Sequence, residues 1–277
     1  MSSPPASSPS GGITTTRTPR VSDLCNSTSP RTYINKLSAI LQGDTLKAVV
    51  FDIDGTVADS FPLHFLAFQE TLVEVGYNGG EPITYEFFMS EMRGKLDKII
   101  VQELMPWMDD AQHQQFLEEE AYRFQSLAAT DLKPIQGFNR FVEWVKERGL
   151  KCAAVTEASH ENATNILKIL GVDDLFDILV IGNECENSDP YLIAFNKLGI
   201  EPNEAFVLQD SPAGLKASIP LATTTTTTTT SGLLTEHHPT PMMSNGVSLL
   251  IQDYDDPDLW TALGYSSELY GSLDHLL

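Results

Sequence analysis

Residues 47–60 read KAVVFDIDGTVADS, and this stretch decides the fold. It begins with a short apolar run of the kind found in parallel strands that are buried on both faces. Asp52 and Asp54 end the run two positions apart, so both carboxylates point to the same side while the chain stays extended. Gly55 then permits a sharp turn away from the strand.

Two carboxylates at the carboxyl end of a strand indicate a ligand site, because open α/β sheets bind ligands at that edge. Carboxylates so close together repel each other, which favours a divalent cation between them, and sites built from oxygen atoms select Mg²⁺. An ordinary Asp-Gly turn with a neighbouring acid is the alternative. We favour the functional interpretation because this combination of residues rarely meets a strand end by chance.

The rest of the chain divides into a helical stretch and an alternating stretch. Residues 64 to about 130 have helical periodicity and show no convincing strand. After them, strand-like and helix-like runs alternate, which indicates βαβ units and a parallel sheet covered on both faces. The predicted strands are Cys152–Thr156, Ile178–Ile181, Ala205–Leu208 and Ser248–Tyr254; the predicted helices are Phe138–Arg148, Glu161–Leu170, Tyr191–Leu198 and Asp258–Leu263. The threonine run at 223–230 fits either another strand or a low-complexity loop.

Residues 1–31 differ from the rest because they are rich in Ser, Thr and Pro and carry almost no large apolar side chains. Such a segment buries too little surface to offset its ordering entropy, so we expect a disordered tail. Its arginines and scarcity of acids also fit an organelle transit peptide, which is the alternative. The change of pattern places a core in residues 32–60 and 134–277 and a helical insert in residues 61–133.

The composition excludes several classes of protein. The chain has 277 residues, with 17 Lys and Arg against 38 Asp and Glu, and a formal net charge of −21. This acidity argues against nucleic-acid binding, and no apolar run approaches the length that spans a bilayer. The cysteines, Cys25, Cys152 and Cys185, suggest neither a disulfide framework nor a zinc site, and they fit a reducing compartment. We expect a cytoplasmic monomer, with a chloroplast or another organelle as the alternative compartment.

Phe51–Ser60 (FDIDGTVADS) resembles motif I of the haloacid dehalogenase superfamily, most closely the branch of plant and algal sugar-phosphate phosphatases and β-phosphoglucomutases. The resemblance covers residues from about 47 to 260, and it implies a Rossmann-like parallel sheet with an inserted helical cap domain. It implies that Asp52 is the nucleophile that accepts the phosphoryl group and that Asp54 is the general acid and base. It further implies that Mg²⁺ is held by the Asp52 carboxylate, the Asp54 backbone carbonyl and Asp210.

The later motifs of this family are matched only in part. Thr156 fits the phosphate-binding hydroxyl at the end of the second core strand, with an N-cap of the next helix as the alternative. Glu157 follows where the family has Asn or a small residue, which places a carboxylate near the phosphate pocket. Asp210 fits as a Mg²⁺ ligand, but Gln209 precedes it where the family commonly has Glu or Asp. The family's Lys is absent, since residues 169–196 contain neither Lys nor Arg.

The insert contains candidate substrate contacts. His64 lies where members of this branch often carry a His that faces the substrate; a partly exposed His at a helix start is the alternative. Arg93-Gly94-Lys95 resembles the cap loop that closes over the substrate, with Gly94 allowing close approach and Arg93 or Lys95 meeting a phosphate or hydroxyls. A helix end with solvated basic residues is the alternative. We interpret the acidic run Glu118–Glu120 as a solvated helix face.

Together these features predict a Mg²⁺-dependent phosphatase of small phosphorylated metabolites, with sugar phosphates as the expected substrates and an aspartyl-phosphate intermediate. A phosphomutase shares this chemistry and is one alternative. A catalytically impaired member that only binds metabolites or a partner is the other, favoured by the missing Lys and by Gln209 and Glu157. The intact pair Asp52 and Asp54 argues for activity.

Overall fold

The first strand, β1 (Ala48–Phe51), is buried along its whole length. The structure is a computed structural model that describes residues 37–93, 95–185, 188–218, 229–233 and 247–265. The predicted tail at residues 1–31 therefore lies outside the described residues, as do Gly94 and the threonines at 223–228.

Among the described residues, five further strands join β1 in one sheet: β2 (Lys151–Thr156), β3 (Ile178–Ile181), β4 (Ala205–Gln209), β5 (Thr229–Leu233) and β6 (Leu249–Ile251). The order is β3-β2-β1-β4-β5-β6, and every neighbouring pair is parallel. Ala48 of β1 lies opposite Lys151 of β2 on one side and Ala205 of β4 on the other. The carboxyl ends of these three strands therefore meet at one edge of the sheet.

Helices occupy the connections between the strands. They are α1 (Phe61–Glu74), α2 (Asp97–Leu104), α3 (Asp110–Asp131), α4 (Phe138–Glu147), α5 (His160–Ile169), α6 (Pro190–Leu198), α7 (Pro212–Ser218) and α8 (Pro257–Ala262). Residues 37–41 are also helical, and a short helix at Tyr85–Phe87 continues into a π-helical turn at Phe88–Met92. Single 3₁₀ turns lie at Tyr77–Gly80, Asp173–Leu175, Gly182–Glu184 and Pro202–Glu204. Within the described ranges, no helix is long and apolar enough to cross a membrane.

The sheet has a hydrophobic cluster on each face. Val49 and Phe51 of β1 belong to the larger cluster, whereas Ala48 and Val50 belong to the smaller one. This alternation follows from the two-residue period of a strand, and it buries β1 from both sides. The α/β class with a Rossmann-like parallel sheet, which the sequence predicts, is confirmed.

The helices between β1 and β2 have a hydrophobic cluster of their own, formed by Phe68, Leu72, Ile83, Phe88, Met92, Ile100, Val101, Met105 and Phe116. The chain leaves the sheet and returns to it along one path. The Asp59 amide donates to the Lys133 carbonyl at 2.9 Å, and the Ile135 amide donates to the Val57 carbonyl at 3.0 Å. The predicted cap, residues 61–133, begins and ends beside these two hydrogen bonds. Its status as a separate domain stays a prediction.

Most predicted elements are present with ends that differ by one or two residues, but the last strand is shorter than predicted. The structure ends it at Ile251 rather than at Tyr254. The Asp256 carboxylate accepts hydrogen bonds from the amides of Gln252 (3.1 Å) and Asp258 (2.9 Å), and this turns the chain into α8. Of the threonine run, Thr229 and Thr230 form the start of β5, so the strand interpretation holds for the end of the run.

Candidate active site

The predicted nucleophile Asp52 stands at the point where β1 leaves the sheet. Its amide makes the last ladder hydrogen bond, to the Leu208 carbonyl at 3.0 Å, and its Oδ1 accepts from the Ile53 amide at 2.8 Å. The Ile53 carbonyl then accepts from the amides of residues 56–58, which closes a tight turn. Gly55 sits in this turn with φ +72°, a conformation that other residues rarely adopt.

Asp210, which follows β4, brings a second carboxylate to Asp52. Burial and the charges of Asp210 and Asp54 raise the pKa of Asp52 well above its usual range. Burial also raises the pKa of Asp210, although the charge of Arg93 opposes this shift. The carboxylates of Asp52 and Asp210 therefore form a pair that retains a proton unless a cation neutralises it.

The predicted acid and base Asp54 has a different environment. Its Oδ1 accepts a hydrogen bond of 2.6 Å from the Ser60 hydroxyl and lies 3.7 Å from Nε2 of His64. Burial would raise the pKa of Asp54, but the hydrogen bonds and the charge of His64 outweigh it, so the pKa is lowered. Asp54 therefore rests as a carboxylate, whereas Asp52 beside Asp210 does not ionise readily.

His64 is brought to the site, as the resemblance implies. Its ring stacks on Phe124 with 3.9 Å between ring centroids, and its Nδ1 lies 3.2 Å from Oε1 of Glu120. Burial lowers the pKa of His64, but the contacts with Asp54 and Glu120 dominate and raise it to about 10. The imidazole is therefore protonated at neutral pH and joins the two carboxylates.

The interpretation of Glu118–Glu120 as a solvated helix face is wrong for Glu120. The side chain of Glu120 is only 4% exposed and faces His64, whereas Glu119 is 46% exposed and pairs with Arg123. The reason is the helical period: Glu120 lies four residues after Phe116 and four before Phe124, both of them buried. That spacing was a signal in the sequence that the run of three acids obscured.

Thr156 ends β2, and its buried hydroxyl accepts a hydrogen bond from the Ala158 amide at 3.1 Å. The N-cap of α5 is Ser159, which accepts from the Asn162 amide, so the N-cap interpretation of Thr156 is wrong. Glu157 is exposed, and its carboxylate packs against Gly182. The roles of Thr156 and Glu157 in phosphate binding stay predictions.

Both the oxygen and the nitrogen of the Gln209 side-chain amide make hydrogen bonds at the turn after β4. Its Oε1 accepts from the amides of Asp210 (2.8 Å) and Ser211 (3.1 Å), and its Nε2 donates to the Tyr191 hydroxyl at 2.8 Å. The amide that stands where the family has an acid therefore holds the turn that carries Asp210. Tyr191 is a site neighbour that sequence reasoning missed, because only the packing of α6 against the sheet brings it there.

The predictions for the three residues of the cap loop have different outcomes. Gly94 lies outside the described residues. The Lys95 ammonium pairs with Glu103 at 2.7 Å, and the structure does not bring it to the carboxylates. Nη2 of Arg93 instead donates to Oδ2 of Asp210 at 2.8 Å, with both side chains almost fully buried. A residue of the insert thus reaches the core site.

Known proteins share sequence with this chain over more than half of its length. Residues 49–226 match the family model described as haloacid dehalogenase-like hydrolase. The chain is 28% identical over 183 residues to a phosphorylated carbohydrates phosphatase of Thermotoga maritima, covering 62% of this chain and 80% of that protein. It is 26% identical over 177 residues to a phosphoglycolate phosphatase of Aquifex aeolicus, covering 62% of this chain and 79% of that protein.

The fold is shared with solved structures as well. The crystal structure of a HAD hydrolase, family IA, variant 3, from Entamoeba histolytica superposes with a TM-score of 0.65 at 20% identity. The match covers 82% of this chain and 99% of that one. Nearly the whole of that protein therefore has a counterpart in the sheet and inserted helices described above.

Proposed function

The chain belongs to the haloacid dehalogenase-like hydrolases, and from this premise we propose that it hydrolyses phosphoric monoesters of small metabolites, chiefly sugar phosphates, with the aid of Mg²⁺. One observation carries the proposal: the half-buried carboxylate of Asp52 and the buried carboxylate of Asp210 meet at the carboxyl edge of the sheet. Such a pair is suited to a divalent cation, which in turn lets a carboxylate approach an anionic phosphate. The similarity to a phosphatase of phosphorylated carbohydrates supports sugar phosphates as the substrate class.

The donor chemistry of the site fits Mg²⁺. Asp52 and Asp210 would supply two carboxylate oxygens, and the family resemblance adds the backbone carbonyl of Asp54. In the described part of the chain, no three His, Cys, Asp or Glu side chains form a metal cluster. Mg²⁺ commonly binds one or two carboxylates and completes its shell with water and substrate oxygens. When bound, it would neutralise charge on the phosphoryl group.

Asp52 is the proposed nucleophile. One of its carboxylate oxygens attacks phosphorus, the bond from phosphorus to the ester oxygen breaks, and an aspartyl-phosphate forms. The hydrogen bond from the Ile53 amide to Oδ1 of Asp52 orients the carboxylate at the strand end. A fixed orientation matters because phosphoryl transfer depends on positioning and charge neutralisation.

Asp54 is proposed to act as the general acid and then as the general base. The departing oxygen needs a proton that Asp54, resting as a carboxylate, must first receive. His64, with Nε2 3.7 Å from Oδ1 of Asp54, holds its own proton because its pKa is raised to about 10, so Asp54 receives the proton from solvent water. In the second step Asp54 takes a proton from water as that water attacks phosphorus, which releases phosphate and restores Asp52.

A second candidate function is metabolite binding without turnover. It is favoured by the absence of Lys and Arg from residues 169–196, where the family resemblance places a Lys beside the nucleophile. Loss of one charged donor from a desolvated catalytic site typically lowers the rate by about 10²–10³-fold. The chain would then bind phosphate esters and release them unchanged.

The test is turnover of an aryl phosphate and of a panel of sugar phosphates, with Mg²⁺ and with a chelator. We expect Mg²⁺-dependent release of inorganic phosphate from the wild-type chain and none from Asp52→Asn. Asp44→Asn is the matched control, because Asp44 is an exposed acid shortly before β1 and should keep full activity.

The other functions give different results in the same assay. Full activity of Asp52→Asn would exclude Asp52 as nucleophile. A new sugar-phosphate isomer without free phosphate, followed by ³¹P NMR, would identify a phosphomutase. Saturable binding of sugar phosphates without any product would identify the binding protein.

A further inference from the structure

The insert contributes a buried carboxylate to the site. The side chain of Glu120 on α3 is only 4% exposed, and its Oε1 lies 3.2 Å from Nδ1 of His64. His64 in turn places its Nε2 3.7 Å from Oδ1 of Asp54, and its ring stacks on Phe124. One imidazolium therefore lies between two carboxylates, so its positive charge is more than matched by theirs.

A second acid of the insert lies close to this group. Asp97 is the first residue of α2, four residues after Arg93, whose guanidinium reaches the core. The protein packed around Asp97 and the charges of Glu120 and Asp54 raise its pKa to about 6, although the charge of His64 opposes the shift. Solvent nevertheless reaches Asp97, so this carboxylate is accessible to a bound ligand.

The leaving group of a phosphoric monoester would lie beside these acids. In the proposed reaction Asp54 protonates the departing oxygen, so the rest of the substrate extends from Asp54 along the side that His64 occupies. There it meets the carboxylates of Glu120 and Asp97. With Asp54 these groups carry three negative charges at neutral pH, against one positive charge on His64.

Two basic residues that precede α2 already have acidic partners. Nη2 of Arg93 lies 2.8 Å from Oδ2 of Asp210, and Nζ of Lys95 lies 2.7 Å from Oε2 of Glu103. Each pair is neutral as a whole, so neither offsets the acids beside the leaving group. The leaving-group side of the site therefore has an excess of negative charge.

We propose that Glu120 and Asp97 set the substrate class of this site, which accepts esters with an uncharged, hydroxyl-bearing leaving group and discriminates against leaving groups that carry a carboxylate or a second phosphate. The inference rests on the proposed function, because it concerns the part of the ester that departs beside Asp54. Ionised carboxylates only accept hydrogen bonds, so they suit hydroxyl donors. An anionic leaving group would be repelled instead, and like charges brought together in a binding site lower affinity strongly.

The test compares two esters that differ in one group. Glycerol 3-phosphate and 3-phosphoglycerate share a carbon skeleton, but a hydroxymethyl group of the first is a carboxylate in the second. The kcat/KM for each ester is measured with Mg²⁺ at pH 7 for the wild-type chain, Glu120→Gln and Asp97→Asn. Glu118→Gln is the matched control, because Glu118 is an exposed acid of the same helix as Glu120. The ratio of the two kcat/KM values does not depend on the fraction of folded protein, since both esters are measured on one preparation.

We expect the wild-type ratio to favour glycerol 3-phosphate by about 10- to 100-fold, the effect of like charges a few Å apart at a partly solvated site. Glu120→Gln and Asp97→Asn should each reduce this preference by about 3- to 10-fold, and Glu118→Gln should leave it unchanged. A merely structural role of the two acids would lower both kcat/KM values together and keep their ratio, and that result would overturn the inference. A wild-type ratio near one would overturn it as well.

Binding measurements separate this inference from the proposed hydrolysis. Calorimetry with Mg²⁺ gives the Kd of each ester for Asp52→Asn, which should consume neither. If the wild-type chain hydrolyses neither ester, but glycerol 3-phosphate binds more tightly and Glu120→Gln reduces the difference, the selection stands and the hydrolysis fails. If the wild-type chain hydrolyses both esters equally well, the hydrolysis stands and the selection is refuted. Equal binding of the two esters, or binding of neither, also refutes the selection.

Discussion

Replacing Gly55 by Ala tests whether the turn after β1 must lie against the site. Gly55 has φ +72°, and a Cβ built there would collide with the Phe61 ring and lie 2.7 Å from Oδ2 of Asp210. Gly149 is a matched control, because its φ is +62° but a Cβ there would have no described atom within 4 Å. Both substitutions carry the same backbone penalty, and only Gly55→Ala adds steric conflict.

The expected loss of stability follows from the backbone penalty and the steric conflict. A left-handed conformation costs an L-residue about 1–2 kcal/mol, so Gly149→Ala should lose about that much stability. Overpacking against a fixed ring and a buried carboxylate adds about 1–3 kcal/mol for Gly55→Ala. Replacing Gly by Ala also stabilises the protein by lowering the conformational entropy of the unfolded chain. This stabilisation applies to both variants and cancels in their comparison.

Urea unfolding followed by circular dichroism measures this difference. With a slope of about 3 kcal/mol/M, the extra 1–3 kcal/mol should place the midpoint of Gly55→Ala about 0.3–1 M below that of Gly149→Ala. Turnover should also fall in Gly55→Ala, since Phe61 and Asp210 must move. Equal midpoints for the two variants would refute the claim that the turn packs directly against Asp210.

Two further predictions concern titrating groups of the site. Because the folded pKa of Asp52 lies above its unfolded value, its ionisation destabilises the metal-free fold as pH rises through that pKa. Asp52→Asn should therefore raise the Tm in EDTA at pH 7, by about 2–4 °C for each kcal/mol of destabilisation that it removes. Near pH 4 the substitution should leave the Tm unchanged. A lower Tm of Asp52→Asn at pH 7 would contradict this prediction. His64 has a pKa of about 10, so its stabilising charge is present below about pH 6.5 and lost as pH rises through 10. Glu120→Gln should lower the imidazole pKa measured by NMR by about one unit or more, whereas the exposed Glu118→Gln should not; equal effects would show that Glu120 does not hold His64.

Local periodicity was enough to locate the sheet and the strand-end residues. The apolar run before Asp52 and the alternation after residue 150 predict parallel strands, and parallel strands place their carboxyl ends together. Asp210 was placed with Asp52 by the family resemblance, and the parallel pairing of β1 with β4 gives the physical reason that the two strand ends meet. Helix α4 was equally accessible, since the predicted range Phe138–Arg148 differs from the observed Phe138–Glu147 by one residue.

The contacts between separate helices and strands could not be predicted from local periodicity. Arg93 reaches Asp210 only because the insert folds back over the sheet, a juxtaposition of residues 117 positions apart. The bond between Gln209 and Tyr191 depends on how a helix crosses a strand, which no local pattern encodes. Glu120 is the intermediate case, because helical spacing placed it on a buried face but its charge argued against burial.

The central position of β1 has a consequence for how the protein is made. Ala48 pairs with Lys151 and with Ala205, so both neighbours of β1 are synthesised more than a hundred residues later. At about 5–20 residues per second, the strand leaves the ribosome several seconds or more before either partner exists. During that interval its apolar edges are open to pairing with other chains, and the inserted helices emerge next to it with a core of their own. The strand β1, which leads directly to the proposed nucleophile Asp52, is therefore the strand of this sheet that waits longest for a partner during translation.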